Sequence, residues 1–334
     1  MRTALVTLVL VAGVAAISAA QAPPVSPRFS NAATQARGLT RLHSLLVSQR
    51  GQLVFEYYGR GVTPRRLANL KSASKSIISA LVGIAIDRKL IPGIQEPVAT
   101  WFPELRRDPD PRKAAITIED LLTMRSGLET TSNRNYGAWV TSPNWVRFAL
   151  TRKLLAEPGT TMQYSTGSTH LLSAILTKAS GTSTWQFAQA ALAKPLGIPL
   201  PQWPRDPQGI YFGGNDMLLT PRQLVALGEL YLNQGRFNGQ QVVPASWVAE
   251  SCVPKTISRF DAGREYGYGW WIDEVGDHPA CYAWGYGGQY VFVFKELQTV
   301  VVATSSTATG DERRGYRRQL LDLIGGDILP AVRQ

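Results

Sequence analysis

A serine and a lysine three positions apart stand at the head of a long apolar stretch. Ser72 and Lys75 precede a run that extends from Ile77 to Ile86. Side chains at i and i+3 share one face of a helix, so the hydroxyl and the amine would lie side by side. A hydroxyl is a weak nucleophile until a base accepts its proton, and burial can lower the pKa of a lysine enough for its amine to act as that base. The motif predicts acyl transfer to Ser72, with a capping serine beside a surface lysine as the alternative.

A tyrosine in a turn offers a second proton carrier. Tyr164 opens the sequence Tyr-Ser-Thr-Gly, which lies between Pro158-Gly159 and a predicted helix. A phenol in such a turn can carry protons to and from a leaving group if a nearby lysine lowers its pKa. The alternative for Tyr164 is a packing residue.

A glycine-rich segment from Gly285 to Gln289 leads directly into a predicted strand. Glycines let a substrate approach the backbone closely. The backbone N–H groups of Gln289 and Ser72 would then be the two donors of an oxyanion hole. A strand entry with no catalytic part is the alternative.

The elements that must position these residues are strands near both chain ends and helices in the middle. Strands are predicted at 44–49, 52–58, 266–272, 289–294 and 299–304. Helices are predicted at 70–90, 145–155, 169–179, 184–192, 221–233, 244–250 and 312–329, and Thr117 with Asp120 resembles a capping box. An α+β fold follows, with one mainly antiparallel sheet built from both chain ends and flanked by helices. Its two halves are residues 39–96 and 221–334, and an all-helical region at 97–220 is inserted between them.

The N-terminus predicts export. An apolar run from Ala4 to Ile17 follows Arg2 and precedes small-residue cleavage patterns, so residues 1–20 are predicted to be a signal peptide cleaved after Ala20. The run is too short to span a membrane comfortably, and no other apolar stretch is long enough. Residues 21–38 are predicted to be a leader outside the core. A periplasmic or secreted protein follows, with a retained anchor as the alternative.

Composition and motifs narrow the function. The 334-residue chain is 44% hydrophobic with a net charge of +11, and its Lys and Arg residues are scattered, so no nucleic-acid partner is predicted. The sequence has neither a G-x-S-x-G elbow nor an H-E-x-x-H motif. Its three histidines are isolated, and His170 is predicted to be a satisfied structural residue. No metal site is predicted.

Cys252 and Cys281 are the only cysteines. In an oxidising compartment such a pair is a candidate disulfide. Two buried free thiols are the alternative.

The three motifs, in this order and at these separations, resemble those of the serine β-lactamase and penicillin-binding superfamily. The chain is most similar to the class C β-lactamase-like branch, which includes esterases, D-amino-acid peptidases and 6-aminohexanoate-dimer hydrolases. Residues 116–128, 219–228 and 244–248 are similar to further segments of that branch. The resemblance covers nearly the whole mature chain and implies a β-lactamase/transpeptidase-like fold.

The resemblance also implies roles. Ser72 would be the acylated nucleophile, Lys75 its base and Tyr164 the acid–base partner of the leaving group, after which water releases the acyl group. No metal or organic cofactor is implied. The implied substrate contacts are Thr166, Tyr286, Gly287 and Gly288.

Two positions depart from the family pattern and affect the predicted substrate. Thr166 stands where the family usually has Asn, and Tyr286 stands where lactamases carry Lys and many relatives His. Tyr286 lacks a positive charge, which predicts a substrate with no carboxylate there. The predicted function is an exported serine hydrolase for an ester or amide, including cyclic or oligomeric amides, in a small or short peptide-like molecule. A weak β-lactamase, a D-amino-acid peptidase and a penicillin-binding-like protein with little turnover are the alternatives.

Overall fold

The computed structural model describes residues 26–258 and 263–334. The predicted signal peptide at 1–20 and the first part of the predicted leader lie outside the described residues. Within the described ranges, no helix has the length and apolar character needed to cross a membrane.

One eight-stranded antiparallel sheet forms the centre of the fold. The strands of the described residues, of which β3 pairs with β4 and β5 with β6 outside the large sheet, are β1 (Leu42–Gln49), β2 (Gln52–Tyr58), β3 (Ala68–Asn69), β4 (Leu218–Leu219), β5 (Arg236–Phe237), β6 (Gln240–Gln241), β7 (Thr256–Ile257), β8 (Glu265–Tyr266), β9 (Trp271–Val275), β10 (His278–Gly285), β11 (Gln289–Phe294) and β12 (Thr299–Ser305). The order in the large sheet is β2-β1-β12-β11-β10-β9-β8-β7. Because β1 pairs with β12 from Leu42↔Ser305 to Gln49↔Thr299, the strands from the two chain ends meet within the sheet, one strand in from its β2 edge. This confirms the predicted fold.

Helices cover both faces of this sheet. They are α1 (Ser30–Gly38), α2 (Ser74–Asp87), α3 (Ile118–Leu122), α4 (Tyr136–Val140), α5 (Trp145–Leu150), α6 (Thr166–Ser180), α7 (Thr184–Ala188), α8 (Pro221–Leu232), α9 (Ala245–Ser251), α10 (Tyr316–Leu323) and α11 (Leu329–Val332). On β12, Val300 and Val302 pack into the core beneath α2 and α8, while Val301 and Ala303 pack into the core beneath α1, α10 and α11. Burial on both faces explains why consecutive positions of this antiparallel strand are apolar.

Residues 30–38 belong to the fold, which corrects the predicted leader. Phe29, Ala32 and Ala36 are fully buried in the core beneath α1. Their spacing of three and four is that of one helix face. The pattern was missed because alanines carry little apolar signal and because prolines precede them.

The inserted region, residues 97–220, holds α3 to α7, and α6 packs against α2, α3 and α5. The predicted capping box is confirmed at α3. The Asp120 N–H donates to Thr117 Oγ1 (3.1 Å), and the Thr117 N–H donates to Asp120 Oδ2 (2.9 Å). Aspartate therefore replaces the usual Glu or Gln of the box.

Three elements differ from their predictions. The strand predicted at 266–272 is divided into β8 and β9, because the chain turns at Gly269 with φ +77°. The helix predicted at 145–155 ends at Leu150, and the N–H of Leu155 donates instead to the carbonyl of Gly127 (2.8 Å). Strand β10 was not predicted, since Pro279 near its start weakens the strand pattern.

Cys252 and Cys281 form a disulfide that joins the end of α9 to β10, with their Cα atoms 5.7 Å apart and 29 positions between them in sequence. A cross-link that closes a loop of this size stabilises a fold by about 3–4 kcal/mol, mainly by restricting the unfolded chain.

We expect replacement of both cysteines by serine to lower the free energy of unfolding by about 3 kcal/mol in urea denaturation. The unfolded, unreduced wild type should titrate no thiol, and a titration that finds two thiols would rule out the bridge.

Candidate active site

Ser72 and Lys75 lie next to each other where α2 begins. Ser72 is in a 3-10 turn, Lys71–Ala73, and remains partly exposed, whereas every residue from Ser74 to Ala85 is buried. Lys75 Nζ is 3.0 Å from Ser72 Oγ and donates to the carbonyl of Gly214 at 2.7 Å. The buried helix thus carries the amine into the core and leaves the hydroxyl within reach of a substrate.

The amine of Lys75 is a usable base at neutral pH. Its side chain is 1% exposed, and burial lowers the pKa of Lys75 to about 7, although the negative charge of Asp216 acts in the opposite direction. Taking an ammonium out of water disfavours its charged form. A substantial fraction of the molecules therefore holds a neutral amine at pH 7, beside the hydroxyl that it would deprotonate.

Tyr164 lies over the same amine. Lys75 Nζ is 5.0 Å from the centre of the Tyr164 ring, and that ring stacks on Trp271 at 5.7 Å. Burial raises the pKa of Tyr164 to about 12, and its hydrogen bond with Ser72 acts in the opposite direction. The pKa is thus raised, not lowered as the sequence suggested, because the effect of burial exceeds that of the hydrogen bond. Tyr164 rests as a neutral phenol, a form that suits a proton donor.

Thr166 belongs to the surroundings of Lys75. Its Oγ1 is 3.3 Å from Lys75 Nζ and 3.0 Å from the hydroxyl of Ser132, whose oxygen also accepts the Thr166 N–H at 2.9 Å. The residue is 5% exposed. The structure therefore assigns Thr166 contacts with Lys75, and its contact with substrate stays a prediction.

The glycine-rich segment adjoins the Ser72 turn. A Cβ on Gly285 would lie 2.0 Å from the carbonyl oxygen of Leu70, so only glycine lets β10 approach the residues before Ser72. The side chain of Gln289 is buried and donates to the carbonyl of Ser305 (2.7 Å), which fixes the start of β11. These contacts fix the segment that carries Gln289, and the role of its N–H as an oxyanion donor stays a prediction.

Gly287 and Gly288 shape the turn between β10 and β11. Their φ angles are +87° and +104°, in the left-handed region that side chains avoid. A Cβ on Gly287 would meet the carbonyl oxygen of Ser306 at 2.6 Å, and one on Gly288 would meet the Tyr316 ring at 2.8 Å. The turn is therefore built for glycine, and a direct contact of either residue with substrate stays a prediction.

Tyr286 is not far from positive charge, which corrects the expectation drawn from its residue type. It is 39% exposed, and its hydroxyl accepts a hydrogen bond from Arg313. The guanidinium carbon of Arg313 lies 5.2 Å from the centre of the Tyr286 ring. A cation from a distant part of the chain thus lies against the residue that aligns with the lysine of the lactamase pattern.

Three further groups of the site were missed from the sequence. These are the hydroxyl of Ser132, the carbonyl of Gly214 and the carboxylate of Asp216. The sequence Gly213-Gly214-Asn215-Asp216 offered a signal, because glycines mark a close backbone approach. A Cβ on Gly214 would lie 3.2 Å from Lys75 Nζ.

His170 has the structural role that was predicted. It is fully buried, and its Nε2 is 3.0 Å from a carboxylate oxygen of Asp206. Its Nδ1 accepts the N–H of Gly213 at 3.4 Å. The histidine therefore anchors the loop whose next residue, Gly214, accepts from Lys75.

The chain matches the family described as Beta-lactamase over residues 32–325, and it therefore belongs to that family. It is 25% identical over 313 residues to the 6-aminohexanoate-dimer hydrolase of Paenarthrobacter ureafaciens. The aligned residues cover 84% of this chain and 77% of that protein. It is 26% identical over 167 residues to the D-alanyl-D-alanine-carboxypeptidase/endopeptidase AmpH of Escherichia coli (strain K12), covering 46% of this chain and 43% of that protein.

A solved structure described as "EstCE1, a hydrolase with promiscuous acyltransferase activity" has the same fold. It superposes with a TM-score of 0.73 at 19% sequence identity, over 90% of this chain and 98% of that one. Family and relatives together make this chain a serine hydrolase of the β-lactamase-related family.

Proposed function

We propose that this chain is an exported hydrolase that cleaves an ester or an amide through an acyl-enzyme on Ser72, with Lys75 and Tyr164 as general base and acid. The distance of 3.0 Å between Lys75 Nζ and Ser72 Oγ, with the amine buried, is the observation that carries the proposal. A nucleophile and its base must lie within hydrogen-bond reach.

The proposed mechanism assigns a group to each step. Neutral Lys75 accepts the proton of Ser72 as Oγ bonds to the substrate carbonyl carbon, and the N–H groups of Ser72 and Gln289 stabilise the negative oxygen. Tyr164 donates its proton to the leaving nitrogen or oxygen as the bond to the carbonyl carbon breaks, and the proton on Lys75 restores the phenol. Water then attacks the Ser72 ester, and its proton returns to Ser72 through Lys75 or Tyr164.

The names of two relatives bear on the substrate class. The hydrolase of Paenarthrobacter is named for an amide dimer, which supports an amide, including a cyclic or oligomeric one, as the substrate. The alternative is a D-amino-acid peptidase or weak β-lactamase, or a penicillin-binding-like protein with little turnover, and the name of the AmpH relative supports the peptidase. Release of product from 6-aminohexanoate dimer, D-alanyl peptides, nitrocefin and p-nitrophenyl esters would separate these substrates.

Export is supported by two independent features. The first 20 residues have the pattern of a cleavable signal peptide. The disulfide between Cys252 and Cys281 is of a kind that persists in oxidising compartments. N-terminal sequencing of the protein recovered from the periplasm or medium should begin at Gln21.

An uncharged alkyl fluorophosphonate tests the nucleophile. Wild-type protein should take up one phosphonyl group, and Ser72→Ala should take up none. Labelling that persists in Ser72→Ala would place the nucleophile elsewhere. A matched control is Ser79→Ala, which removes a buried hydroxyl from the same helix and should leave labelling intact.

Arg313 is expected to recognise a carboxylate on the substrate. An exposed guanidinium–carboxylate contact contributes up to about 1 kcal/mol, so Arg313→Gln should raise KM by about 3- to 5-fold for a p-nitrophenyl ester that carries a carboxylate. The KM for the neutral ester should not change. Arg314→Gln is the control, since that side chain is 89% exposed and is adjacent in sequence. Equal changes for the two esters would contradict this role.

A further inference from the structure

A network of side chains ties the residue before Ser72 to the loop that accepts from Lys75. Lys71 Nζ and Asn69 Nδ2 both donate to the same Asp216 oxygen, each at 2.8 Å. The N–H of Lys71 donates back to Asn69 Oδ1 at 2.9 Å. Asp216 is two residues beyond Gly214, whose carbonyl accepts from Lys75. The Asp216 carboxylate thus connects the residue before Ser72 to the loop whose Gly214 carbonyl accepts from Lys75.

The backbone at both ends of this network is held in an uncommon conformation. Lys71 has φ +49° and Asp216 has φ +64°, values that non-glycine residues seldom adopt. The adjoining strands β3 and β4 pair only over Ala68↔Leu219 and Asn69↔Leu218. Two backbone residues in the left-handed region next to the catalytic groups persist only where their surroundings hold them.

We propose that the Lys71–Asp216 pair is a positioning element of the acylation site, which fixes the Ser72 turn against the Gly214 carbonyl and sets the charge that surrounds Lys75. The proposal rests on the proposed role of Lys75 as the base for Ser72. The pair also explains a residue type that the family motifs leave open, a lysine immediately before the nucleophile.

Among the described residues, the charge that acts on the Lys75 ammonium is the carboxylate of Asp216, and Lys71 is the cation paired with that carboxylate. Three tyrosines belong to the surroundings of this pair: Tyr164 before α6 lies over the amine, Tyr266 in β8 packs against Tyr164, and Tyr136 in α4 accepts from Asn215 beside Asp216. Burial raises the pKa of all three, so they stay neutral between pH 5 and 9. From helix α6, the hydroxyl of Thr166 contacts the Lys75 amine. In the β8–β9 turn, Gly269 lies beside the backbone carbonyl of Lys75.

The two charges of the pair act on Lys75 in opposite directions. Asp216 favours the ammonium form, so Asp216→Asn removes that support and leaves the positive Lys71 uncompensated. The pH at which the rate of Ser72 acylation rises to half of its plateau should then be lower. Lys71→Met leaves Asp216 unpaired, so that pH should be higher. Because both side chains are partly exposed, each shift should be on the order of half a pH unit.

The experiment is the rate of Ser72 labelling by the uncharged fluorophosphonate from pH 5.5 to 9. It is measured for wild type, Asp216→Asn, Lys71→Met and the double variant. Wild type should show a midpoint near 7, the single variants should shift in opposite directions, and the double variant should lie between them. The plateau rate should fall several-fold in each variant, because the positioning contacts are lost.

Two results would overturn the proposal in different ways. Wild type that is not labelled at all would remove the proposed function together with this inference. Wild type that is labelled with a midpoint near 7, while both single variants keep that midpoint or shift in the same direction, would reject the pair alone and leave Ser72 and Lys75 in place. Since a purely structural role lowers rates without opposite shifts, thermal unfolding of each variant identifies a loss of fold. If one variant does not fold, the shift of the other decides.

Discussion

Replacing Lys75 with alanine should slow acylation of Ser72 by about 10²–10⁴-fold or more, because the hydroxyl loses the only amine within hydrogen-bond reach among the described residues. The residual rate should also lose its dependence on pH near 7. In wild type the rate should rise as the pH increases through about 7, since the neutral amine is the active form. The measurement is the fluorophosphonate labelling rate across this pH range.

The control for Lys75→Ala is a second buried lysine. Lys113 is 5% exposed, and its Nζ pairs with Asp108 at 2.9 Å. Lys113→Ala removes a buried amine of similar exposure, and it should cost stability without abolishing acylation. Near-normal acylation of a folded Lys75→Ala protein would reject Lys75 as the base.

Tyr164→Phe is expected to produce the second large effect, a loss of turnover of about 10²–10⁴-fold with the fold intact. Phenylalanine keeps the ring that stacks on Trp271 and meets Tyr266 edge-on at 6.2 Å. It removes the proton that the leaving group needs. The loss should be larger for an amide than for a p-nitrophenyl ester, because a p-nitrophenolate leaves without protonation.

Tyr266→Phe provides the matched control. Tyr266 is buried in the same aromatic group and packs against Trp271 at 4.8 Å. Its hydroxyl has no part in the proposed steps, so the variant should keep its amide turnover. Wild-type amide hydrolysis by Tyr164→Phe would show that another group protonates the leaving nitrogen.

The parts that the sequence predicted well are those that depend on neighbours in the chain. Ser72 and Lys75 are three residues apart on one helix, so their contact follows from helix geometry. The turn at Arg50-Gly51 and the capping box at Thr117 are equally local. Their structure could be read because the interacting residues are separated by only a few positions.

The parts that were missed depend on long-range contacts. Gly214 meets Lys75 across 139 positions, and Arg313 meets Tyr286 because the segment between β12 and α10 lies against the turn between β10 and β11. No residue type or spacing encodes the path of these loops. The pKa of Tyr164 was misjudged for the same reason, since its direction depends on the burial of both partners.

The substrate question now centres on charge. The type of residue 286 alone predicted a substrate without a carboxylate there, whereas the contact of Arg313 with Tyr286 underlies the proposal that a carboxylate is recognised. The loop that His170 and Asp206 anchor reaches Gly214, whose carbonyl accepts from Lys75, so this buried pair helps to position a partner of the proposed base.

The central claim, an acyl-enzyme on Ser72, is tested most directly by trapping it. A p-nitrophenyl ester is mixed with the protein, the reaction is quenched in acid within milliseconds to seconds, and the intact mass and proteolytic peptides are measured. Wild type should gain the mass of one acyl group on the peptide that contains Ser72, and Ser72→Ala should gain none. Hydrolysis of the ester at wild-type rate by Ser72→Ala, or an acyl group found on another residue, would contradict the account.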